Sequence, residues 1–319
     1  FSKMNVLSWP GDVVELLWTT SQVVVLTLVA TVKAILPMGV IPRKDISNKI
    51  CLITGSGSGL GQRMALEFAK EGCRKLVLWD INEASNEETK RQVERSGVEA
   101  WTYKVDLSDR FDIARKAALV KEEVGNVDIL VNNAGIVTGK KLTDCSEDEI
   151  VRTMNVNCIA GLLTTRHFLS SMIENNSGHI VTIASIAGKL GAPRMVDYCA
   201  SKYGAVGGHE ALTEELRANG ASGVKTTLAC PYYIQTGMFE GVETHAPLLL
   251  PICTTDYAVE RIVDAVLTDR QELFFPRFLY LATVSFALFP NSVNALLLDY
   301  FKIPHTMARF TGRRVENNN

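Results

Sequence analysis

Short runs of β-branched and aliphatic residues alternate with helix-length amphipathic stretches from Asn48 to Pro276. The seven runs are Ile50–Thr54, Lys75–Asp80, Ala100–Asp106, Val127–Asn132, His179–Ser185, Val224–Cys230 and Glu272–Pro276. Two neighbouring strands joined through a helix run parallel, and a parallel sheet is buried by helices on both of its faces. The alternation therefore predicts an α/β fold, a doubly wound parallel sheet of seven strands formed by residues 48–276.

The first 47 residues differ in character from this alternating region. Leu16–Val32 is a run of 17 residues without a charge, and Pro42-Arg43-Lys44 follows it. As a helix the run would be about 25 Å long, slightly short of a bilayer core unless residues 34–38 extend it. Basic residues on its C-terminal flank favour a cytoplasmic location for the following domain. We predict an N-terminal membrane anchor with a basic linker over 1–47; a cleaved signal peptide and a buried helix are the alternatives.

A second apolar segment follows the alternating region. Phe278–Leu298 carries no charge over 21 residues, but Pro290 interrupts it. A proline inside a helix costs about 3 kcal/mol, so two short apolar helices are expected rather than one spanning helix. Four basic residues follow between positions 302 and 314 and could contact anionic lipid headgroups. The pattern predicts a membrane-associated C-terminal segment over 277–319, with a hairpin that covers the core as the alternative.

Charge and cysteine usage exclude several classes of function. Basic and acidic residues nearly balance, at 33 against 35, so the chain has no global attraction to nucleic acid. The seven cysteines form no CxxC pair and fit buried thiols in a reducing compartment better than disulfides. The five histidines show no HExxH or other metal-ligand spacing. We therefore expect no metal site and no nucleic-acid partner.

A glycine-rich turn, Thr54-Gly55-Ser56-Gly57-Ser58-Gly59-Leu60-Gly61, joins the first predicted strand to a helix. Residues without a Cβ allow a tight turn and a close approach of the backbone to a pyrophosphate at the helix N-terminus. Asp80 ends the second strand, where an acidic residue can bind a ribose 2′-hydroxyl. Because its charge would repel a 2′-phosphate, the pattern favours NAD over NADP. An ordinary strand-end turn residue is the alternative explanation of Asp80.

Polar side chains also follow later strands of the predicted sheet. Asn132-Asn133-Ala134-Gly135 ends the fourth strand, Asp106 ends the third and Ser185 ends the fifth. Tyr198 follows on a helix, with Lys202 four residues beyond it on the same helix face. An ammonium group beside a phenol favours the phenolate, so the pair predicts a tyrosine base whose pKa is lowered toward the working range. Taken alone, the Tyr-x3-Lys spacing also fits a surface helix, and the glycine after the fourth strand fits an ordinary turn.

In this order the motifs resemble those of the short-chain dehydrogenase/reductase family: TGxxxGxG, NNAG, an asparagine in the next helix, a serine, YxxxK and a proline motif. The resemblance covers residues 48–276 and implies a Rossmann fold that transfers hydride with a nicotinamide cofactor. The positions that it assigns to cofactor binding are Gly55, Ser58, Gly59, Leu60, Gly61, Asp80, Asp106, Asn133, Gly135, Tyr198, Lys202, Pro231, Ile234 and Thr236. Those that it assigns to catalysis are Asn157, Ser185, Tyr198 and Lys202, with Asn155 as the competing choice for Asn157.

The resemblance also implies how the catalytic residues act. Tyr198 removes the alcohol proton as general base, and Ser185 hydrogen-bonds the substrate oxygen. Lys202 lowers the pKa of Tyr198 and binds the nicotinamide ribose, while Asn157 holds a water that relays the proton outward. Tyr232 replaces the usual glycine of the proline motif, so the backbone path there departs from the family pattern.

Within the family, the chain looks like the membrane-bound retinol dehydrogenases. The matching segments are the anchor with its basic flank, Leu78–Asn82, Ile136–Lys141 and Thr236–Gly241. The likeness implies oxidation of all-trans-retinol to all-trans-retinal by a homodimer at the endoplasmic reticulum membrane or a lipid droplet, with the catalytic domain facing the cytosol. The alternatives are a 17β-hydroxysteroid or other lipid alcohol dehydrogenase, and a non-catalytic lipid-droplet or membrane scaffold.

The residues by themselves indicate only that the substrate is apolar. The loop Tyr232–Pro251 is largely apolar, and the hydrophobic ends of the chain could hold the cleft against a bilayer. We predict that the substrate contacts Ser185, Tyr198, Tyr232, Met238 and Phe239.

Overall fold

Seven parallel strands form one sheet in the computed structural model of the protein, which describes residues 9–35 and 39–312. The strands are β1 (Ile50–Thr54), β2 (Lys75–Asp80), β3 (Glu99–Lys104), β4 (Ile129–Asn132), β5 (Gly178–Ile183), β6 (Val224–Pro231) and β7 (Glu272–Phe275). Their order across the sheet is β3-β2-β1-β4-β5-β6-β7. The strand order reverses between β1 and β4, which is where open α/β sheets bind ligands. The predicted doubly wound sheet is confirmed.

Helices cover both faces of this sheet. In chain order the helices of the described residues are α1 (Trp9–Ile35), α2 (Gly59–Lys70), α3 (Glu83–Glu94), α4 (Arg110–Glu123), α5 (Glu147–Met154), α6 (Ala160–Glu174), α7 (Val196–Ala218), α8 (Thr255–Leu267), α9 (Phe278–Leu288) and α10 (Asn291–Tyr300). Those that pack on the sheet are α2, α3 and α8 on one face and α4, α6 and α7 on the other. On one face, Phe68 of α2 and Ile262 of α8 lie in a fully buried core with the sheet. On the other face, Ile113 of α4 and Phe168 of α6 lie in a second core. The sheet is therefore buried on both of its faces, as parallel sheets are.

Local hydrogen bonds move some strand ends from their predicted positions. β3 ends two residues before Asp106, whose backbone N–H donates to Asp112 Oδ2 at 2.8 Å instead of continuing the sheet. β4 begins at Ile129; just before it, the Asp128 N–H donates to the Ile50 carbonyl and the Asp128 carboxylate accepts from the Ile50 N–H, both at 2.9 Å. The end of β3 is thus set by a carboxylate that competes for a backbone donor, which a residue pattern does not reveal.

Residues up to Arg43 and residues from Lys44 onward form two separate compact units. The first contains α1, whose 27 residues include the polar segment Thr19–Gln22. Among residues 9–35 and 39–312, no helix is both long and apolar enough to cross a membrane. The helix expected near the N-terminus is present, but a spanning anchor is not confirmed. The sequence-based domain boundaries at residues 47 and 276 stay predictions.

The two C-terminal helices form a hairpin, Phe278–Tyr300, that belongs to the second unit. Pro290 separates them at the N-cap of α10, as predicted from its position. Leu279 is buried, and Phe278 and Leu298 pack against the cluster that contains Tyr198. The inner face of this C-terminal hairpin therefore covers a core, which was the alternative expectation for this segment. Its association with a membrane stays a prediction.

Candidate active site

The glycine-rich turn has the geometry that its composition predicts. Gly55 and Gly59 have φ angles of +68° and +56°, which favour glycine because a Cβ would be strained there. A Cβ on Gly61 would lie 2.1 Å from the carbonyl oxygen of Gly55, so no side chain fits at this position. Helix α2 begins at Gly59, and within the described residues the Ser58 side chain makes no capping hydrogen bond to it. The N–H groups of its first turn are therefore free to bind an anion.

Asn133 joins the glycine-rich turn to the end of β4. Its backbone N–H donates to Thr54 Oγ1 at 2.9 Å, and its side-chain Nδ2 donates to the Thr54 carbonyl at 2.8 Å. The Ala134 N–H also donates to Thr54 Oγ1, at 3.1 Å. These bonds fix the ends of β1 and β4 together at the point where the strand order reverses. Asn133 thus lines the cleft and is held by the backbone of β1, while its role in cofactor binding stays a prediction.

Two carboxylates lie at the far end of the cleft. Asp80 accepts from the backbone N–H of Gly57 and from that of Asn82, both at 2.8 Å, so its position is fixed at the edge of the glycine-rich turn. Asp106 accepts from the hydroxyl of Ser108 at 2.6 Å, and this hydrogen bond lowers the pKa of the Asp106 carboxyl. Both side chains line one cavity with the glycine-rich turn.

Ser185, Tyr198 and Lys202 lie together at the other end of this cavity. Ser185 follows β5, where its hydroxyl accepts from the Ala187 N–H at 3.1 Å. Tyr198 and Lys202 are buried on one face of α7, and the Lys202 ammonium lies 5.7 Å from the centre of the Tyr198 ring. It donates to the carbonyl oxygen of Ile183 at 2.9 Å. The end of β5 and one face of α7 thus bring together three side chains that lie within 17 residues of one another in the sequence.

The acid–base properties of this group differ from the sequence-based expectation. Burial raises the pKa of the Tyr198 phenol, and its hydrogen bond with Ser185 opposes that rise. Burial also lowers the pKa of the Lys202 ammonium to about 8. We expected Lys202 to lower the pKa of Tyr198, but desolvation by burial dominates and the pKa of the phenol is raised.

Asn157 lies in a π-helical turn, Asn155–Ile159, between α5 and α6. Its Oδ1 accepts from the Ile136 N–H and its Nδ2 donates to the Ile136 carbonyl, both at 2.8 Å. Nδ2 also donates to Ser201 Oγ at 3.0 Å, so both ends of the amide hold the segment after β4 against α7. Such turns occur frequently at functional sites. Of the two competing asparagines, Asn157 is the one that makes these contacts, and its side chain does not line the cleft itself. The water relay stays a prediction.

The cleft has a volume of about 730 Å³ and joins almost all of the predicted positions. The predicted residues that line it are Gly55, Ser58, Gly59, Leu60, Gly61, Asp80, Asp106, Asn133, Gly135, Ser185, Tyr198, Lys202, Pro231, Tyr232, Ile234, Thr236, Met238 and Phe239. Sequence reasoning missed Arg152, which lines the cleft and whose charge contributes to the lowered pKa of Asp106. Its place on α5, five residues before Asn157, was the available signal.

A second cavity of about 370 Å³ adjoins the cleft at Tyr198, and we call it the apolar chamber. Ser185, Tyr198, Tyr232 and Phe239 line both cavities, whereas the predicted substrate contact Met238 lines only the cleft. The Phe239 ring lies 5.8 Å from the Tyr198 ring in an edge-to-face contact. Further walls come from the C-terminal hairpin, through Phe278, Leu279, Leu281, Ala282, Ser285, Phe286, Phe289, Leu297 and Leu298. No sequence motif marks these hairpin residues.

Comparison with known proteins agrees with this geometry. A family model described as short chain dehydrogenase matches residues 49–247. Epidermal retinol dehydrogenase 2 of Mus musculus is 44% identical over 274 residues, which cover 86% of this chain and 88% of that protein. Retinol dehydrogenase 10 of Homo sapiens is 39% identical over 305 residues, which cover 86% and 89%.

Solved structures share the fold. A metagenomic short-chain oxidoreductase in complex with NADP has a TM-score of 0.61 at 28% identity, over 72% of this chain and 98% of that one. A short-chain dehydrogenase/reductase from Burkholderia phymatum in complex with NAD has a TM-score of 0.68 at 27% identity, over 76% and 93%. The matched family model, these relatives and the cleft built from the family's motifs lead to one conclusion: the chain belongs to the short-chain dehydrogenase/reductase family of oxidoreductases.

Proposed function

We propose that the protein oxidises lipophilic alcohols, with all-trans-retinol as the substrate and NAD as the hydride acceptor. The observation that carries the proposal is the apolar chamber, which opens onto the hydroxyls of Ser185 and Tyr198. Its volume of about 370 Å³ lies within the range of about 300–1,000 Å³ that is usual for small-molecule sites. The names of the relatives support retinol among the lipophilic alcohols.

The residues of the cleft fit a dinucleotide. Gly61 has no space for a Cβ, the N-terminal N–H groups of α2 lack a side-chain cap from Ser58, and Asp80 lies where a ribose hydroxyl can bind. A pyrophosphate would be held by the first turn of α2, and Thr236 and Ile234 would contact the nicotinamide end. When bound, the nicotinamide supplies the ring carbon that takes up the hydride.

The side chains of the chain itself would handle the proton. Ser185 donates a hydrogen bond to the substrate oxygen, and the Tyr198 phenolate takes the hydroxyl proton as the alcohol carbon loses its hydride. Lys202 is held by the Ile183 carbonyl beside the Tyr198 ring and places a positive charge behind it. Asn157 keeps the segment after β4 in place and so maintains the space between these groups.

The homodimer and the cellular location are also proposals. Ile159 and Leu162 lie near the start of α6 with large exposed fractions, which supports pairing with a second copy along the helices that follow Asn157 and carry Tyr198. The basic flank Pro42-Arg43-Lys44 supports a cytosolic catalytic domain at the endoplasmic reticulum or at a lipid droplet.

Filling the apolar chamber tests the substrate class. Ala282→Trp is expected to lower kcat/KM for retinol about tenfold, because the indole would take up space that the hydrocarbon chain needs. Turnover of the short allylic alcohol crotyl alcohol should stay within about twofold, since it occupies only the end near Tyr198. Initial rates of NADH formation measure both.

The matched control is Ala287→Trp, since Ala287 is exposed on the same helix and does not line the chamber. The same assay includes a 17β-hydroxysteroid and a long-chain fatty alcohol. A higher kcat/KM for the steroid would reject retinol in favour of the steroid alternative. Turnover of none of these alcohols, together with no NAD binding, would reject an enzymatic function.

Replacing Asp80 tests the choice of cofactor. Asp80→Asn is expected to raise kcat/KM for NADP relative to NAD about tenfold, because it removes the charge that repels a 2′-phosphate. The amide keeps the size of the side chain and can still accept one of the two backbone N–H groups that hold it. The matched control is Asp106→Asn, which removes an equal charge from the same cleft and should leave the ratio unchanged. A parent enzyme that prefers NADP contradicts the assignment.

A further inference from the structure

The C-terminal hairpin exposes large apolar side chains along both of its helices. Its outer face consists of Leu281, Val284, Leu288, Phe289, Leu296 and Tyr300, which are between 49% and 80% exposed. Monomeric proteins rarely leave large apolar side chains clustered in this way unless the surface binds something. The segment from Phe278 to Tyr300 carries a single charge, at Asp299.

The outer face is continuous with the apolar chamber. Leu281 and Phe289 are exposed on the outside of the hairpin and also line the chamber on the inside. At these two positions the wall between the chamber and the exterior is one side chain thick. The other end of the chamber is formed by Ser185 and Tyr198. A molecule that passes between Leu281 and Phe289 therefore moves from the outer face to the reacting groups without leaving apolar surroundings.

Charges around the hairpin are complementary to an anionic lipid surface. Arg277 precedes α9 and Lys302 follows α10, and both side chains are exposed. Arg309 is also exposed and pairs with Glu243 at 2.7 Å. An apolar face bordered by cations at both of its ends matches the acyl region and the headgroups of a membrane, whereas a second protein copy would need no such border.

We propose that the outer face of the C-terminal hairpin docks on a lipid surface, and that the substrate enters the apolar chamber from the lipid between Leu281 and Phe289. The inference rests on the proposed function for the class of the substrate. A lipophilic alcohol that enters from the lipid does not have to cross water. The rate of its oxidation therefore depends on docking of the outer face only when the alcohol is dissolved in a membrane.

The test uses the full chain with Leu288→Glu and Leu296→Glu combined. These residues are 72% and 70% exposed and do not line the chamber, so the reacting groups are left intact. The matched control combines Phe111→Glu on α4, where the side chain is 69% exposed, with Leu142→Glu at another exposed position. Each protein is assayed with NAD and either retinol dissolved in phosphatidylcholine vesicles containing phosphatidylserine, or crotyl alcohol in buffer. Vesicle binding would not report on the hairpin alone, because α1 also exposes apolar side chains. The rate of oxidation is therefore measured instead.

We expect the hairpin variant to lose about tenfold or more in kcat/KM for vesicle-dissolved retinol and nothing for crotyl alcohol, with the control unchanged on both. Parental activity of the hairpin variant on vesicle-dissolved retinol overturns the inference and leaves the proposed function standing. If the hairpin variant keeps parental activity on vesicle-dissolved retinol and also shifts from dimer to monomer in sedimentation, the inference is overturned in favour of a second copy as the occupant of the outer face. An equal loss on both alcohols signals damage to the fold. Leu288→Gln combined with Leu296→Gln then replaces the glutamates, and the inference stands only if this variant loses activity on vesicle-dissolved retinol and not on crotyl alcohol. Failure of the parent on both alcohols overturns the proposed function instead.

Discussion

Tyr198→Phe is expected to lower kcat/KM for alcohol oxidation about a thousandfold, the effect of removing a general base from its site. The substitution removes the oxygen that takes the proton and keeps the ring, so the edge-to-face contact with Phe239 and the packing of α7 persist. NAD affinity, measured by isothermal titration calorimetry, and the midpoint of thermal unfolding should therefore match those of the parent. Initial rates of NADH formation measure the loss.

Tyr203→Phe is the matched control for this substitution. Tyr203 lies on the same helix but is about half exposed and does not line the cleft, so its loss of a hydroxyl should not change kcat/KM. The pH profile gives a second readout. Because burial raises the pKa of Tyr198, the phenolate is the minor form at neutral pH, and oxidation by the parent should become faster as the pH rises. The residual rate of Tyr198→Phe should lack this rise; near-normal turnover by the variant would reject Tyr198 as the base.

The part of the site that sequence could predict depends on short-range geometry. The glycines at 55, 59 and 61 are required by backbone angles and by one close approach within the turn. Tyr198 and Lys202 share a face because of the helical repeat, and polar residues after parallel strands meet at one edge of the sheet. These relations hold whatever the rest of the chain does, so residue types and spacing were enough to place the side chains along one cleft.

The part that sequence could not predict depends on packing between distant segments. Phe278–Leu298 carries no charge, so no charged stripe distinguishes a face that covers the core from a face that meets lipid. Only the fold shows that Ala282 and Ser285 line a chamber with Ser185 and Tyr198, which lie about 100 residues earlier in the chain. The direction of the Tyr198 pKa was unpredictable for the same reason. The spacing to Lys202 is a local feature, whereas desolvation comes from Phe239, Tyr233 and the rest of the buried cluster.

The tight approach at Gly61 has a consequence for stability as well as for binding. Gly61→Ala is expected to lower the free energy of unfolding by about 1–3 kcal/mol, the usual cost of inserting atoms into a packed site. The new Cβ would lie 2.1 Å from the Gly55 carbonyl oxygen and 2.7 Å from Asn133 Nδ2. Neither neighbour can move freely, because the Gly55 N–H donates to the Trp79 carbonyl at 2.7 Å and Asn133 Nδ2 donates to the Thr54 carbonyl at 2.8 Å.

Relief of that clash would displace the glycine-rich turn from the first turn of α2, where a pyrophosphate would bind. The Kd for NAD should therefore rise at least about tenfold in Gly61→Ala, in addition to the loss of stability. Gly207→Ala is the matched control: Gly207 lies within α7, and a Cβ there meets nothing within 4 Å among the described residues. Alanine is the better helix former by about 1 kcal/mol, so this control should be neutral or more stable and should bind NAD normally. Urea unfolding and calorimetric titration distinguish the two. If Gly61→Ala has the same stability and NAD affinity as Gly207→Ala, the glycine-rich turn is not held in place by the backbone of β1, β2 and β4.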